Sequence, residues 1–365
     1  MERREENRVF RALYLMAIFF VVDGHIPLEG ELFNFGGLFR YYSFHMLLFA
    51  FGSGYFYDST RGYREALLRD IRQLLVPMYL WNLFYGILMT ALRRFLGLQY
   101  GAPLSAYSLL LAPITDGEQF VLNGAAWFIG ALFLTKLVYR TLFLPFGRKS
   151  IWPFLLSLLL GSLCVYGISH EWVPAPLYFL ARALVLLPGY AAGHLYRERL
   201  EKFDRLPTLP WLTGIVLLRI LFTTLVPENA YLLSNGTYFL CGPIGVYLGG
   251  ALAIAFYLRI ARLIAPLIGK SRILLFCSRN TFSVMMHHRL GFLCLNIIFL
   301  LLNWFHLGAA NFHLYEFRAA EYTYAPAGHP EWAVLYLLAG IALSLAIAGL
   351  MQRAKARLKK PETRG

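Results

Sequence analysis

The stretch "FRALYLMAIFFVVDGHIPL", residues 10 to 28, is apolar for most of its length but carries Asp23 and His25 shortly before it ends. About 20 mostly apolar residues are enough to cross the hydrocarbon core of a bilayer, so the stretch predicts a membrane helix. Arginines precede it, as in a signal peptide, but no small-residue cleavage site follows, and we expect the helix to be retained. For Asp23 a solvated helix end is the simplest interpretation, whereas His25 raises the question of a functional site.

Similar segments recur along the chain, which has 365 residues, 58% of them hydrophobic and only 15% charged. Soluble domains carry about 25% charged residues, so these values indicate a polytopic membrane protein. We predict an all-α bundle of about ten transmembrane helices, which forms one domain over residues 1–365 with no soluble domain. A shorter apolar piece, residues 263–278, is expected to lie at the interface or to re-enter the membrane. The predicted spans are residues 10–28, 41–57, 73–92, 122–143, 151–169, 176–195, 209–226, 237–258, 281–305 and 332–351.

The basic residues predict the orientation of these helices. The net charge is +14, and all but seven of the 34 lysines and arginines fall on one side of the bundle when the N-terminus is placed inside. Because short cytoplasmic loops of membrane proteins are rich in Lys and Arg, both termini are predicted to be cytoplasmic. The charge is therefore attributed to topology and to attraction by the inner leaflet, not to nucleic-acid binding. The seven exceptions are Arg40, Arg93, Arg94, Arg182, Arg219, Arg289 and Arg318.

Two long outer loops follow from this orientation, residues 93–121 and 306–331. The second is rich in aromatic residues and carries a few acids. Aromatic rings stack on sugars, but they also populate membrane interfaces without any ligand, so both interpretations stay open. The four cysteines are widely separated and lie in apolar surroundings, which predicts buried thiols rather than a metal or redox site.

Several polar side chains fall inside predicted spans, where an ionisable group costs about 2.5–3.5 kcal/mol on insertion scales and usually faces a cavity. His25 lies fourteen residues past Arg11, which places it about 21 Å along the helix and in the outer third of the membrane. An interfacial histidine is the alternative interpretation. Adjacent histidines on a helix point about 100° apart and are not expected to share a metal. The further polar residues in spans are His45, Ser53 within a Gly-Ser-Gly break, Arg182, Asn280, His287, His288 and Arg289.

A basic pair marks the cytoplasmic mouth of the third predicted span. Arg69 and Arg72 lie three residues apart on one helix face, and Pro77 follows and should kink the helix. Paired guanidinium groups can fork onto phosphates, where a lysine acts only as a point charge. Positive-inside anchoring of the helix explains the same pair equally well.

Together these residues resemble the acyltransferase type 3 family of bacterial membrane proteins, near its fucose 4-O-acetylase-like branch. The resemblance covers most of the chain. The chain departs from the family pattern at three positions. Tyr14 stands where Arg or Lys is common, Leu47 replaces a proline, and Ala50 replaces a phenylalanine. Arg11, one turn before Tyr14, is the residue that could supply the missing charge. The matching motifs, in chain order, are Val21 to His25, Phe44 to Met46 with Ser53 to Tyr55, Arg69 and Arg72 with Leu75 and Pro77, Trp127 and Phe128 with Leu132 and Phe133, and Asn280 to Phe282 with His288.

The resemblance implies an enzyme that moves an acyl group, usually acetyl but with succinyl left open, from cytosolic acyl-CoA to a hydroxyl of a cell-surface or exported glycan. It implies His25 as general base, because a neutral imidazole is available near pH 7. The CoA phosphates are expected at Arg69, Arg72 and Arg11. Acyl-CoA is then a substrate, and no permanently bound cofactor or metal is expected. The residues expected to support the acceptor or the oxyanion are His288, Asn280, His45, Ser53, Arg182 and Trp127.

Three alternatives stay open at this point. Ser53 could form an acyl-enzyme, although close helix packing explains the Ser-Gly pair. Ten spans with buried charge also suit a transporter or flippase of a glycan or small solute, but the two halves of the chain show no matching broken helices. A divergent relative could be an inactive scaffold of a polysaccharide-synthesis complex. In each case the expected location is the bacterial cytoplasmic membrane, with the bilayer, that machinery or a second copy of the chain as partner.

Overall fold

The computed structural model describes residues 7–28, 32–117, 120–147, 149–234, 239–307, 312–320, 324–326 and 328–358. These residues form α-helices joined by turns, short 3-10 or π-helical pieces and loops, so the all-α prediction is confirmed. In chain order the helices are α1 (Arg8–Asp23), α2 (His45–Tyr55), α3 (Tyr63–Asp70), α4 (Val76–Leu96), α5 (Ala106–Leu110), α6 (Ala112–Thr115), α7 (Trp127–Phe143), α8 (Trp152–Ser169), α9 (Tyr178–Leu195), α10 (Thr208–Leu225), α11 (Gly242–Lys270), α12 (Arg272–Arg279), α13 (Thr281–Trp304), α14 (Leu314–Ala319) and α15 (Ala333–Leu358).

Within the described ranges, eight helical runs are long and apolar enough to cross a bilayer. The first two predicted spans do not reach that length, because α1 has 16 residues and α2 has only 11. The prediction of ten full spans is therefore not confirmed. The eight runs are Tyr63–Leu96, Val121–Phe143, Trp152–Ser169, Ala175–Phe203, Thr208–Leu225, Gly242–Lys270, Thr281–Trp304 and Pro330–Leu358.

The two short helices are enclosed by the rest of the protein. Ten residues of α1 and nine of α2 are buried, and α1 packs between α11 and α13 while α2 packs on α9. A side chain at Gly193 of α9 would overlap the Phe51 carbonyl of α2, and one at Gly54 would overlap the Tyr190 carbonyl. The Gly-Ser-Gly stretch thus permits the backbone approach that small residues allow between membrane helices. Helices buried in protein at this depth need not cross the lipid by themselves.

The α1 and α2 helices run antiparallel. Asn7, which caps the start of α1, donates a hydrogen bond to the hydroxyl of Tyr55 at the end of α2 (3.1 Å). The opposite ends of both helices therefore lie together, which brings the end of α1, with His25 two residues beyond it, close to His45 at the start of α2.

Two local details add to the predictions. A π-helical turn over Ile71–Leu75 precedes Pro77, which lies at the start of α4 within the continuous helical run Tyr63–Leu96. The predicted interfacial piece 263–278 is divided: α11 continues to Lys270, and Ser271 caps the separate helix α12.

Candidate active site

A cavity of about 350 Å³ lies where the end of α1 meets the start of α2. It collects residues that are far apart in sequence, including both histidines of the α1 and α2 ends. Its walls are formed by Val21, His25, Tyr42, His45, Met46, Phe49, Asp116, Gly117, Val121, Gly124, Ala125, Trp127, Phe128, Tyr231, Leu232, Leu233, Ser234, Met285 and Arg289.

His25 is held in one orientation by the turn that ends α1. Its backbone N–H bonds to the Val22 carbonyl (3.1 Å), and its side-chain Nδ1 lies 2.6 Å from the Val21 carbonyl oxygen. A carbonyl oxygen only accepts, so Nδ1 carries the proton of the neutral ring and Nε2 carries the lone pair. This tautomer is the one that a general base acting through Nε2 requires.

Asp23 is not a solvated helix end, because its side chain is only 2% exposed. The Tyr41 hydroxyl donates to its Oδ2 atom (2.5 Å), and the Phe33 backbone N–H donates in turn to the Tyr41 oxygen (2.7 Å). The neighbouring Tyr42 donates to the Gly24 carbonyl (2.9 Å). The carboxylate therefore fastens the following loop to the end of α1 and so fixes the turn that carries His25.

His288 and Arg289 of α13 complete the polar side of the site. The rings of His25 and His288 lie 5.0 Å apart between centroids. His288 Nδ1 donates to the Val284 and Met285 carbonyls (both 3.0 Å), and its buried Nε2 has no hydrogen-bond partner within the described ranges. Arg289 donates to the Val121 carbonyl (3.0 Å) and lies against Gly124, where any side chain would overlap the guanidinium. The glycine thus makes room for the arginine at the cavity wall.

Three other predicted site residues lie at or beside the cavity. Trp127 and His45 line it, and His45 Nδ1 bonds to the Tyr41 carbonyl, which leaves the lone pair on Nε2 as in His25. Arg182 does not line the cavity itself. It donates to the Asp116 carbonyl and packs on Gly117, and both of these residues line the cavity. Arg182 is therefore a positioning residue for this wall.

The structure does not bring Ser53 or Asn280 to the cavity wall. Ser53 lies beside Tyr14, whose ring packs over Gly52. Asn280 donates to the Phe276 carbonyl (2.7 Å) and accepts from Gln352 of α15 (2.9 Å), so it ties α12 to α15. Both side chains have structural partners that explain them.

The basic residues assigned to the donor lie away from the cavity. Arg69 and Lys136 both contact Asp70 (3.1 and 2.7 Å). Lys136 is nine residues past Trp127 on α7, so this cluster lies about 14 Å from the cavity wall along the helix. Arg72 is exposed, and Arg11 reaches the Ser278 carbonyl (3.3 Å). None of the three predicted donor arginines lines the cavity.

The sequence did not single out the loop residues of the site. Tyr231, between α10 and α11, lines the cavity and donates its backbone N–H to the Tyr42 carbonyl (3.2 Å). Its hydroxyl is buried without a partner in the part of the chain that the structure describes, and burial raises its pKa above the usual range, so it stays a protonated donor. Its place could not be predicted from the surrounding sequence, because only the fold brings Tyr231 into the same cavity as His25.

Part of the aromatic outer loop 306–331 packs on itself, and the sugar-contact interpretation stays a prediction. Three of its described aromatic residues, Phe312, Phe317 and Tyr324, pack on one another, with ring centroids 5.0 to 5.6 Å apart, whereas Tyr315 is exposed. The Tyr324 carbonyl accepts from Asn296 of α13 (3.1 Å). No described residue of this loop lines the cavity.

Comparison with known proteins agrees with the motifs found in the sequence. The model of the type 3 acyltransferase family, described as an acyltransferase domain, matches residues 12–353, nearly the whole chain. No curated protein and no solved structure matches the chain. The fucose 4-O-acetylase branch is therefore left as a resemblance. With its membrane-length helices and this match, the chain belongs to the type 3 family of membrane acyltransferases.

Proposed function

We propose that the protein is an O-acyltransferase that moves an acetyl group from acyl-CoA to a hydroxyl of a cell-surface or exported glycan in the bacterial cytoplasmic membrane. The observation that carries the proposal is the His25 tautomer, which presents a basic Nε2 in a cavity of about 350 Å³. The choices of acetyl, glycan and bacterial membrane rest on the family resemblance alone.

The chemistry proposed for the cavity is direct transfer. His25 Nε2 takes the proton of the acceptor hydroxyl as its oxygen attacks the thioester carbonyl. The resulting oxyanion accepts hydrogen bonds from Arg289 and from the protonated Tyr231, whose groups reach the same cavity. The C–S bond then breaks, and the departing CoA thiolate takes up the proton held by His25. Acyl ester and free CoA are the products, and no further reactant is needed.

The donor is proposed to approach from the side of Arg69 and Arg72, where guanidinium groups meet its phosphates. Arg69 is already paired with Asp70, so the exposed Arg72 is the more available of the two. The length of the pantetheine arm would then have to cover the distance of about 14 Å that separates this cluster from the cavity wall.

Direct transfer is preferred to an acyl-enzyme on Ser53. Ser53 lies beside Tyr14 and does not line the cavity that holds His25. A serine nucleophile needs an adjacent base within hydrogen-bond reach, and the described residues around Ser53 provide a tyrosine instead of a histidine.

The test is transfer of labelled acetyl or succinyl from CoA to a panel of glycans by membranes that contain the intact protein or a variant. His25→Ala should lower transfer by about 10²–10⁴-fold, the usual contribution of a general base. His170→Ala is the matched control, because His170 makes the same Nδ1 contact to a carbonyl four residues earlier (2.9 Å) but lies exposed at the end of α8. Near-normal transfer by His25→Ala would overturn the assignment.

A further inference from the structure

A second and larger space, of about 630 Å³, lies on the other side of α2 from the cavity. On α2, His45, Met46 and Phe49 face the cavity, whereas Leu47 and Phe51 line this groove. The other walls come from α8, α9, α10 and α11, and most of the lining side chains are apolar. Because the groove lies among membrane-length helices, lipid rather than water is the medium next to it.

The groove has the depth of one leaflet. Along α11 it extends from Tyr247 to Leu258, eleven residues or about 17 Å. Half of a hydrocarbon core of about 30 Å is about 15 Å. At the upper end the Tyr247 hydroxyl donates to the Val185 carbonyl of α9 (3.3 Å), which joins the two walls there.

The lower end of the groove is polar and contains Asp204 and Tyr196. Asp204 is bridged by Arg259 and by Arg262 (2.9 Å), and Arg262 also donates to the Tyr196 hydroxyl (2.6 Å). The guanidinium of Arg259 stacks on Trp211, 5.2 Å from the ring centroid. This end is thus a rigid, hydrogen-bonded rim below the apolar walls.

The rim carries an excess of positive charge. Its three acids already have partners: Glu198 pairs with Arg197 (2.9 Å), Glu201 accepts from Tyr55, and Asp204 is shared by the two α11 arginines. Residues 197–205 together with positions 259 and 262 carry six basic side chains against these three acids, and Lys202 and Arg205 are exposed. The six are Arg197, Arg199, Lys202, Arg205, Arg259 and Arg262.

We propose that this groove is a binding site for an anionic phospholipid, with one acyl chain along α11 and the phosphate at Lys202 and Arg205. The depth of one leaflet suits a phospholipid chain better than a polyprenyl chain, which is longer than a leaflet. The net positive rim suits the anionic headgroups of the cytoplasmic leaflet, where each basic residue near the surface contributes about 1 kcal/mol. The proposal goes beyond the acyl transfer suggested above and does not depend on it.

The test is native mass spectrometry of the full chain in detergent with equimolar phosphatidylglycerol and phosphatidylethanolamine. The intact protein is expected to retain one phosphatidylglycerol with at least a fivefold preference. Lys202→Glu with Arg205→Glu should abolish the preference, whereas Arg353→Glu with Lys355→Glu, exposed at the basic end of α15, should leave it unchanged. Equal retention of the two lipids by the intact protein would overturn the proposal.

A second variant tests the apolar walls separately from the charges. Ala251→Trp fills the groove and should reduce bound phosphatidylglycerol at least fivefold, while Ala342→Trp, on the exposed face of α15, should not. The melting temperature without added lipid shows whether each variant is folded. Undiminished binding by folded Ala251→Trp would refute the site. Displacement of phosphatidylglycerol by an equal concentration of polyprenyl phosphate would also refute it, in favour of a lipid-linked acceptor.

Discussion

Tyr41→Phe and Asp23→Asn test whether the buried carboxylate fixes the turn that carries His25. The phenylalanine removes the hydroxyl that donates to Asp23 (2.5 Å) and accepts from the Phe33 N–H (2.7 Å). A hydrogen bond to a charged group contributes about 1.5–3 kcal/mol and a neutral one about 1 kcal/mol, so Tyr41→Phe should cost about 2–4 kcal/mol of stability. Asp23→Asn keeps an acceptor for the tyrosine but loses its charge, and should cost about 1 kcal/mol.

The two substitutions should not be additive, because they act on one hydrogen bond. The melting temperature of the double variant is expected to be close to that of Tyr41→Phe. The coupling energy between the two substitutions is then about 1 kcal/mol. The melting temperatures of the three variants are measured by thermal unfolding in detergent, with Tyr231→Phe as the control. This control removes a buried hydroxyl that has no partner in the described ranges, so its melting temperature should not fall.

The same variants should weaken acyl transfer, because the loop that Asp23 holds also positions the turn at His25. A displacement of about 1 Å at a reacting group can cost about 10²-fold in rate, so we expect Tyr41→Phe to lose at least tenfold. Strictly additive melting shifts together with unchanged transfer would refute the role assigned to Asp23, and the carboxylate would then have no account in this fold.

Three further outcomes are expected. Arg289→Met should lower kcat by about 10²–10³-fold, as the loss of an oxyanion donor does, and Arg289→Lys should restore only part of the lost activity. If both variants were as active as the intact protein, Arg289 would have no role in the reaction. Ser53→Ala should keep transfer within a few-fold, and its complete loss together with an acylated Ser53 peptide would establish the covalent route. Gly193→Ala should destabilise the protein by about 1–3 kcal/mol because the new methyl overlaps the Phe51 carbonyl, whereas Gly214→Ala, with open space around it, should be neutral or stabilising.

The helices of this protein could largely be predicted from sequence, because long apolar runs leave few structural choices in a membrane. The exceptions are α1 and α2, whose apolar sequences were long enough to suggest full spans. Asp23 ends α1 earlier by bonding to Tyr41, and a 3-10 turn over Tyr41–Ser43 delays the start of α2. The first cause is a contact between residues eighteen positions apart, and the second is the geometry of a local turn. Hydropathy reports neither of them.

Residues of the site could be predicted only where a polar or aromatic side chain was unusual for the apolar segment that contains it. His25, His45 and Trp127 line the cavity, and the charge of Arg289 within a span was visible in the sequence but was given no role. Asn280 was placed with them because it begins the Asn280 to Phe282 motif of the family resemblance, eight residues before His288. That interval is about 12 Å along an α-helix, so the two side chains cannot share a small cavity.

The departure from the family pattern at position 14 has an explanation in the packing of α1 on α2. Tyr14, which stands at the usual basic position, lies beside Ser53 and fills the space that Gly52 leaves. The guanidinium of Arg11 donates to the Ser278 carbonyl of α12 (3.3 Å), and its role in place of a basic residue at position 14 stays a prediction. An arginine at position 14 would replace the tyrosine ring, whose centroid lies 6.0 Å from that of Phe49, a residue of the cavity wall. Under the function proposed above, positive charge near the donor comes from Arg69, Arg72 or Arg289, whereas Tyr14 and Ser53 fill the contact between α1 and α2.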